Sequence, residues 1–500
     1  MRTRNAAGDV LLGIDIGTTE LKAGAFDART GKALASAAHR LGVQSAPDGT
    51  RQQRPDDVIA ALRSVAGRLR TAAGGAWRHV AGIGLAAQGG SAILCDRRTG
   101  RALTAMQLWN DTRPLALLGE IASRRPAGYW RRLCGLGGPG AGLARIEWLR
   151  RRRPRLVPAD AHDLGGKTLY GGAGEFAFFA LTGVWRQDAG NALQIGCYSV
   201  PRQALVADAL EAVGVPLSFV APLRQGHQIH PLAAGGARLL GLPAGVPVAG
   251  PYIDHEAGYL SATGLGGRPL QCSLGTAWVG NLVAETALPP SGGLDLVLPS
   301  PVGAGSLVLR VMAGGNLTWD WGLETLMSPR RSEALKKADA VFAEALLPPD
   351  GLTAFPWFTR PNVWDAALPG NGGFLGLGVH TSRADLLRAL AAGMCFEFAS
   401  LFADVRTAGL VDRVVLGGGA ARGPAFDRLL AELLAPLPVF VAEDQHLAAA
   451  RGSIYAFSPQ AARVNVQRVR CGAAGERGRI SRQYEQYRKV RDTVWPEEKA

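Results

Sequence analysis

The chain has 500 residues, of which 47% are hydrophobic and 19% charged, with a net charge of +14. A single core usually stops growing near ~250–300 residues, so two domains are expected. Hydrophobic content near the globular average excludes a wholly disordered chain, and 66 Gly and 30 Pro without a repeating period exclude collagen.

No apolar run approaches the ~18–20 residues that span a bilayer, so no membrane partner is expected. The basic start is followed by an apolar stretch broken at Asp15, unlike a secretory signal. Residues 10–16 read as a strand, Gly17-Thr18-Thr19 as a turn and Leu21–Phe26 as a second strand, with a third over Ala33–Ala37. Pro55–Leu69 has helical periodicity, with Val58, Ile59, Leu62, Val65 and Leu69 on one face. Val80–Leu85 and Ser91–Asp96 read as strands.

The run Arg150–Arg153 follows Ala144–Leu149 and is stopped by Pro154. It reads as a helix C-terminus, where cations favour the macrodipole. The remaining positive charge is mostly Arg spread through the chain, so no nucleic-acid partner is expected. Six cysteines are scattered with no C-x-x-C, which points to a reducing cytoplasm.

Val246–Ala249 reads as a strand, and near residue 270 the N-terminal pattern restarts. Leu270–Ser273 is a strand, Leu274-Gly275-Thr276 a turn and Ala277–Val283 a strand. Asp385–Phe402 reads as a long helix, Arg413–Leu416 as a strand, Pro424–Leu434 as a helix, Pro438–Ala442 as a strand and Leu447–Phe457 as a helix. The two Gly-Thr turns lie about 260 residues apart, a weak internal duplication that suggests two similar α/β domains. Gln460–Ala500 is a charged tail whose stretch Arg479–Val494, carrying Tyr484 and Tyr487, has helical character.

Several of these turns carry residues fit for chemistry. Gly17 lets backbone approach an anion, and Thr18, Thr19 and successive N–H groups can cradle phosphate. Asp15 is suited to Mg²⁺, directly or through water, and Lys22 adds charge. An ordinary β-turn is the competing reading. Ser273-Leu274-Gly275-Thr276 is the counterpart turn. Gly417-Gly418-Gly419-Ala420 follows a strand and precedes a helix, a place for a flat ring and an anion. It lacks the Walker A ending, and a Rossmann reading with Glu443 is a minor alternative.

Asp254-His255-Glu256 follows the strand Val246–Ala249. It reads as a pair of metal ligands, as a general base with neighbours, or as a helix start with Asp254 as its cap. Trp109-Asn110-Asp111-Thr112-Arg113 joins an aromatic face to a carboxylate and a guanidinium, groups that suit a sugar, and Gln88 is a further polar candidate.

In this order the pieces resemble the FGGY family of carbohydrate kinases, within the actin-like ATPase superfamily. The likeness runs from about residue 10 to about 458. It rests on Asp15–Thr19, Gly84–Gly90 with Asp96, Trp109–Arg113, Leu181–Gly183 with Asp188, Asp254, Ser273–Thr276, Gly372–Leu377 and Gly417–Ala420. The resemblance implies an α/β fold of two ribonuclease-H-like (actin-like ATPase) domains flanking an interdomain cleft. Residues 1–257 would bind sugar and carry the first phosphate loop, 258–459 would bind ATP, and 460–500 would be the tail.

It further implies Asp254 as the base that takes a proton from the attacking sugar hydroxyl. Asp15 matches the Mg²⁺-associated aspartate, Thr18 and Thr19 the first phosphate loop, Gly275 and Thr276 the second, and Gly418 and Gly419 the adenosine loop. Gln88, Trp109, Asp111 and Arg113 match sugar-pocket positions, and His255 stands where many relatives carry Asn or Gln. The cofactors implied are ATP and Mg²⁺, the partner is a small-molecule sugar, and a homodimer is left open.

Glycerol kinases carry Arg-Glu and typical xylulose kinases Met-His where this chain has Gly89-Gly90, which disfavours glycerol. The small pair makes room for a longer or branched ligand of the pentulose or hexulose class, xylulose-, ribulose- or gluconate-like. The alternative is a non-catalytic regulator that binds sugar or nucleotide.

Overall fold

The computed structural model describes residues 9–158, 160, 166–288, 294–312, 314–358, 372–472 and 474–494. The basic residues 1–8 lie outside them. By packing, the chain divides into two units. The first consists of Met1–Leu265, Leu296–Val308 and Leu447–Val464, and the second of Gly266–Asp295, Leu309–His446 and Asn465–Ala500.

The first unit is built on six strands: β1 Val10–Ile16, β2 Glu20–Asp27, β3 Ala33–Arg40, β4 Val80–Ala87, β5 Ile229–Pro231 and β6 Pro247–Ile253. Their order across the sheet is β5-β6-β4-β1-β2-β3. The central pairs β1–β4 and β4–β6 are parallel, and the outer pairs are antiparallel. Central parallel strands are covered on both faces, which is why β1 and β4 read as nearly unbroken apolar runs.

The pleat of β1 sorts its side chains by twos. Val10, Leu12, Ile14 and Ile16 join a core with Val58, Leu62, Val65 and Leu69 of the helix Pro55–Ala73. Leu11 joins a second core with Leu447, Ile454, Ala461 and Ala462. On that same face a Cβ at Gly13 would strike the Ala450 carbonyl, and a Cβ at Gly84 would strike Ser453. Only glycine lets the helix Ala448–Ser453 come this close to the sheet. The segment Leu447–Val464 is therefore part of the first unit's core.

Several expected elements differ in extent; the helix expected over Pro55–Leu69 runs to Ala73, and the strand expected over Ala33–Ala37 runs to Arg40. The strand expected at Val246–Ala249 continues to Ile253 through a register shift between Ala249 and Tyr252. The helix expected over Leu447–Phe457 is α-helical only over Ala448–Ser453 and tightens to 3-10 over Ile454–Ala456.

The second unit contains adjacent strands in the order Trp278–Ala284, Pro269–Leu274, Arg413–Gly417, Val439–Ala442 and Val466–Arg468. Pro269–Leu274 pairs antiparallel with Trp278–Ala284 and parallel with Arg413–Gly417. Taken alone, each unit thus holds a hairpin whose first strand has a parallel partner on its other side. The helix Arg383–Ser400 starts at a Ser382–Asp385 capping box and buries Leu387 through Ala399. The helix Ala474–Val494 sends Tyr487 into this unit, where its hydroxyl donates to Glu397 Oε2 at 2.7 Å.

Candidate active site

The carboxyl ends of β1, β4 and β6 set the site in the first unit. Asp15 pairs with Ala86 across β1–β4, and Ile253 pairs with Ala87 across β4–β6. Asp15, Gln88 and Asp254 therefore stand at the same end of three adjacent parallel strands. That edge is where open α/β sheets bind ligands.

Asp15 is partly exposed, but its Oδ1 is buried and has no hydrogen-bond partner among the described residues. Burial pushes its carboxyl up to about 7; the Lys22 ammonium opposes the shift, and the Asp254 and Glu20 carboxylates add to it. An orphaned carboxylate oxygen beside a second carboxylate suits a cation. Among the described residues no group of three or more acidic, His or Cys side chains is arranged to hold a metal. The orphaned Asp15 oxygen would fit Mg²⁺, which keeps several waters and uses one or two carboxylates plus phosphate oxygens.

The first turn is tight: the Gly17 N–H donates to the Glu20 carbonyl at 3.0 Å. Thr18 and Thr19 behave differently. The Thr18 hydroxyl donates to Gln88 Oε1 at 2.9 Å and accepts from Trp109 Nε1 at 3.1 Å. Its carbonyl accepts from Gln53 Nε2 at 2.6 Å. Thr18 thus orients two of the sugar-pocket candidates, while Thr19 is exposed. The Gln88 Nε2 is buried without a partner among the described residues. Lys22 lies 4.0 Å from Glu20.

Asp254 opens the helix Asp254–Thr263, and its Oδ1 accepts the His255 N–H at 2.9 Å. The His255 ring folds back to 3.9 Å from the same oxygen. The Asp254 side chain is 31% exposed, so its free oxygen is open to a reactant. Glu256 is committed elsewhere, held by Arg224 Nη2 at 2.8 and 2.9 Å. Reading Asp254 and Glu256 as a pair of metal ligands therefore fails.

Asp111 and Arg113 sit apart from this group. Asp111 is fully buried and accepts from Arg113 Nη2 at 2.6 Å, from Arg113 Nε at 3.0 Å and from the Arg51 N–H at 3.2 Å. Arg113 also lies over the Trp148 ring at 4.9 Å. It lines a pocket of about 440 Å³ with Gln52, Gln107, Trp148 and Arg152, to which Gln88, Trp109 and Asp254 do not contribute.

In the second unit the hairpin Ser273–Thr276 meets the loop Gly417–Ala420. Gly418 adopts φ 92°, and a Cβ there would lie 2.7 Å from the Leu274 backbone. Asn316, which the sequence reading missed, ties the hairpin down. Its N–H donates to the Gly275 carbonyl at 3.0 Å and its Nδ2 to the Leu274 carbonyl at 3.3 Å, while its Oδ1 accepts from Trp278 Nε1 at 3.0 Å. Gly419 lies against the same amide. Ser273, Gly275 and Thr276 are partly exposed, and Gly417 and Ala420 are buried.

Family models for the N-terminal and C-terminal domains of the FGGY carbohydrate kinases match residues 10–261 and 270–458. The chain belongs to the FGGY family of carbohydrate kinases. It is a phosphotransferase with a two-domain α/β fold. It is 26% identical over 436 residues to a glycerol kinase of Thermus brockianus, covering 85% of each chain. It is 26% identical over 481 residues to an erythritol kinase of Brucella abortus, covering 90% of this chain and 88% of that one. The solved xylulose kinase of Rhodospirillum rubrum matches with a TM-score of 0.81 at 23% identity, over 97% of this chain and 99% of the other. No helix among the described residues is long and apolar enough to cross a membrane.

Proposed function

We propose that this kinase transfers the γ-phosphoryl group of ATP to a hydroxyl of a pentulose, a hexulose or a derived polyol, with Asp254 as general base. The observation that carries this reading is the alignment of Asp15, Gln88 and Asp254 at one end of three parallel strands. Phosphoryl transfer asks a protein for positioning and charge neutralisation more than for covalent work. Asp254 accepts the proton as the substrate oxygen bonds to phosphorus and the bond to the ADP oxygen breaks. His255 and its N–H hold the Asp254 carboxylate in place. Asp15 is the residue that would hold Mg²⁺, directly or through water. Bound there, the cation supplies charge neutralisation for the phosphates.

The Gly17–Thr19 turn offers backbone N–H groups and the Thr19 hydroxyl to phosphate, with Lys22 adding charge, while Thr18 orients Gln88 and Trp109. In the second unit we assign nucleotide binding to Ser273, Gly275 and Thr276 and to Gly417–Ala420, braced by Asn316. We assign Gln88 and Trp109 to the sugar, and Asp111 and Arg113 a structural part in the loop that carries Trp109.

Asp254→Asn is expected to retain ATP binding, read by titration calorimetry. Its ADP release with a panel of ketoses and polyols should fall by ~10²–10⁴, the typical worth of a positioned base. Undiminished turnover in that variant would defeat the assignment.

A further inference from the structure

The glycine pair beside Gln88 is not an empty space. A Cβ built on Gly89 would collide with Gln194 Nε2 and lie 2.6 Å from Ile253 Cδ1. One built on Gly90 would collide with Gln194 Oε1 and lie 3.2 Å from Trp109 Cβ. The Gln194 amide thus fills the volume that side chains at 89 and 90 would otherwise occupy. This corrects the expectation that the pair opens room for a longer ligand.

The helix Ala189–Ile195 delivers Gln194 there by a fixed route. The Asp188 carboxylate caps it by accepting the Asn191 N–H at 2.9 Å. Asn191 Oδ1 accepts the Gly90 N–H at 3.1 Å, so two residues three apart on one helix face meet the glycine pair. At the other end of the helix, Gly140 and Gly142 lie so close to Ile195 and Gly196 that a Cβ at either would clash. Gln194 is 6% exposed, yet its amide forms no hydrogen bond with a described residue. A largely buried side chain whose amide donor and acceptor are unspent lies beside Trp109 and beside Ile253, the residue before Asp254.

We infer that Gln194 determines sugar specificity in this kinase, presenting one donor and one acceptor to hydroxyls of a neutral ketose or polyol. The inference rests on the active-site reading above. The side chains that meet the glycine pair and the Trp109 ring nitrogen or Cβ here (Thr18, Asn191, Gln194 and Ile253) are uncharged, and the buried Arg145 guanidinium meets Trp109 at its backbone, donating to the Trp109 and Leu108 carbonyls at 2.6 and 3.2 Å. The guanidinium of Arg113, which sits apart from this group, is bound to Asp111. Nothing in this set favours the carboxylate of an aldonate over a neutral hydroxylated chain.

The test is steady-state kinetics on ketoses, their alditols and aldonates of equal carbon number, for wild type, Gln194→Leu and Gln194→Glu. Wild type should favour the neutral compounds. Gln194→Leu removes both hydrogen-bonding groups. It should raise KM for the best neutral sugar about 3–10-fold, the worth of one or two hydrogen bonds, with kcat and KM for ATP changed far less. Gln194→Glu keeps the shape and should weaken aldonates further, and it serves if the leucine variant fails to fold. Unchanged ratios of kcat/KM among the sugars in the folded variants, or a wild-type preference for an aldonate, would overturn the inference. Loss of turnover in Asp254→Asn alongside unchanged ratios in the Gln194 variants would sink this inference alone. Full turnover in Asp254→Asn would sink the active-site reading beneath it.

Discussion

At the scale of single residues, Asp15 shows how the site stores cost for use. Its carboxyl ordinarily titrates at 3.8 and is raised to about 7, chiefly by burial. For an acid with a raised folded-state pKa, the charged form destabilises the fold. The penalty is absent below pH ~4, grows between ~4 and ~7 and is constant above that. Asp15→Asn should therefore raise the melting temperature of the ligand-free protein at pH 8, with the gain vanishing by pH 4, while phosphorylation is lost. Thermal melts at both pH values check this, and equal melting temperatures at pH 8 would refute it. Such an exchange of stability for activity is common at sites that bind charge. Thr18 teaches a different lesson: its hydroxyl donates to Gln88 and accepts from Trp109, so its contribution is to orient them.

At the scale of elements, glycine decides how closely helices approach strands. Gly13 and Gly84 admit the helix Ala448–Ser453, and Gly452 on that helix admits the Ala257 carbonyl. Side chains at these points would force backbone apart, at a typical cost of ~1–3 kcal/mol each. The helix Ala474–Val494 is held by burial and by several hydrogen bonds, among them Arg477 to Glu432 at 2.8 Å and Gln483 to the Pro348 carbonyl at 3.0 Å. Tyr487 is fully buried, stacks near Phe355 and Phe396, and donates to the buried Glu397. Tyr487→Phe removes this donor from the buried carboxylate, at a cost of about 1–3 kcal/mol. Scanning calorimetry should show a fall of several degrees, and a shift below one degree would contradict the account.

At the scale of the whole molecule, packing does not follow chain order. The first unit is completed by Leu447–Val464, far along the sequence from Leu265. A fragment ending at Leu265 lacks the segment that covers Leu11, Phe26 and Gly13. It should show no cooperative thermal transition by circular dichroism; a sharp one would disprove the dependence. The charge of +14 is also tamed locally. Glu147 accepts from Arg150 at 2.7 Å and from Arg151 at 2.8 Å, and Arg151 reaches Glu120 at 2.5 Å, so the first half of the densest basic run is paired, while Arg152 lies over the Trp148 ring at 4.6 Å.

The two-domain α/β class, the paired Gly-Thr hairpins and the positions of Asp15, Gln88 and Asp254 were legible in the residues alone. Strand period, turn chemistry and the order of short motifs are local properties, and local properties survive in sequence. The tertiary structure decided what depends on contacts between distant segments. It sent Asp111 and Arg113 to a buried ion pair and separated Glu256 from Asp254. It also braced the second hairpin with Asn316 and filled the space at Gly89-Gly90 with Gln194 from a helix about 100 residues later. A glycine announces that something comes near; only the folded chain says what it is, because close approach is set by packing and not by neighbours in sequence.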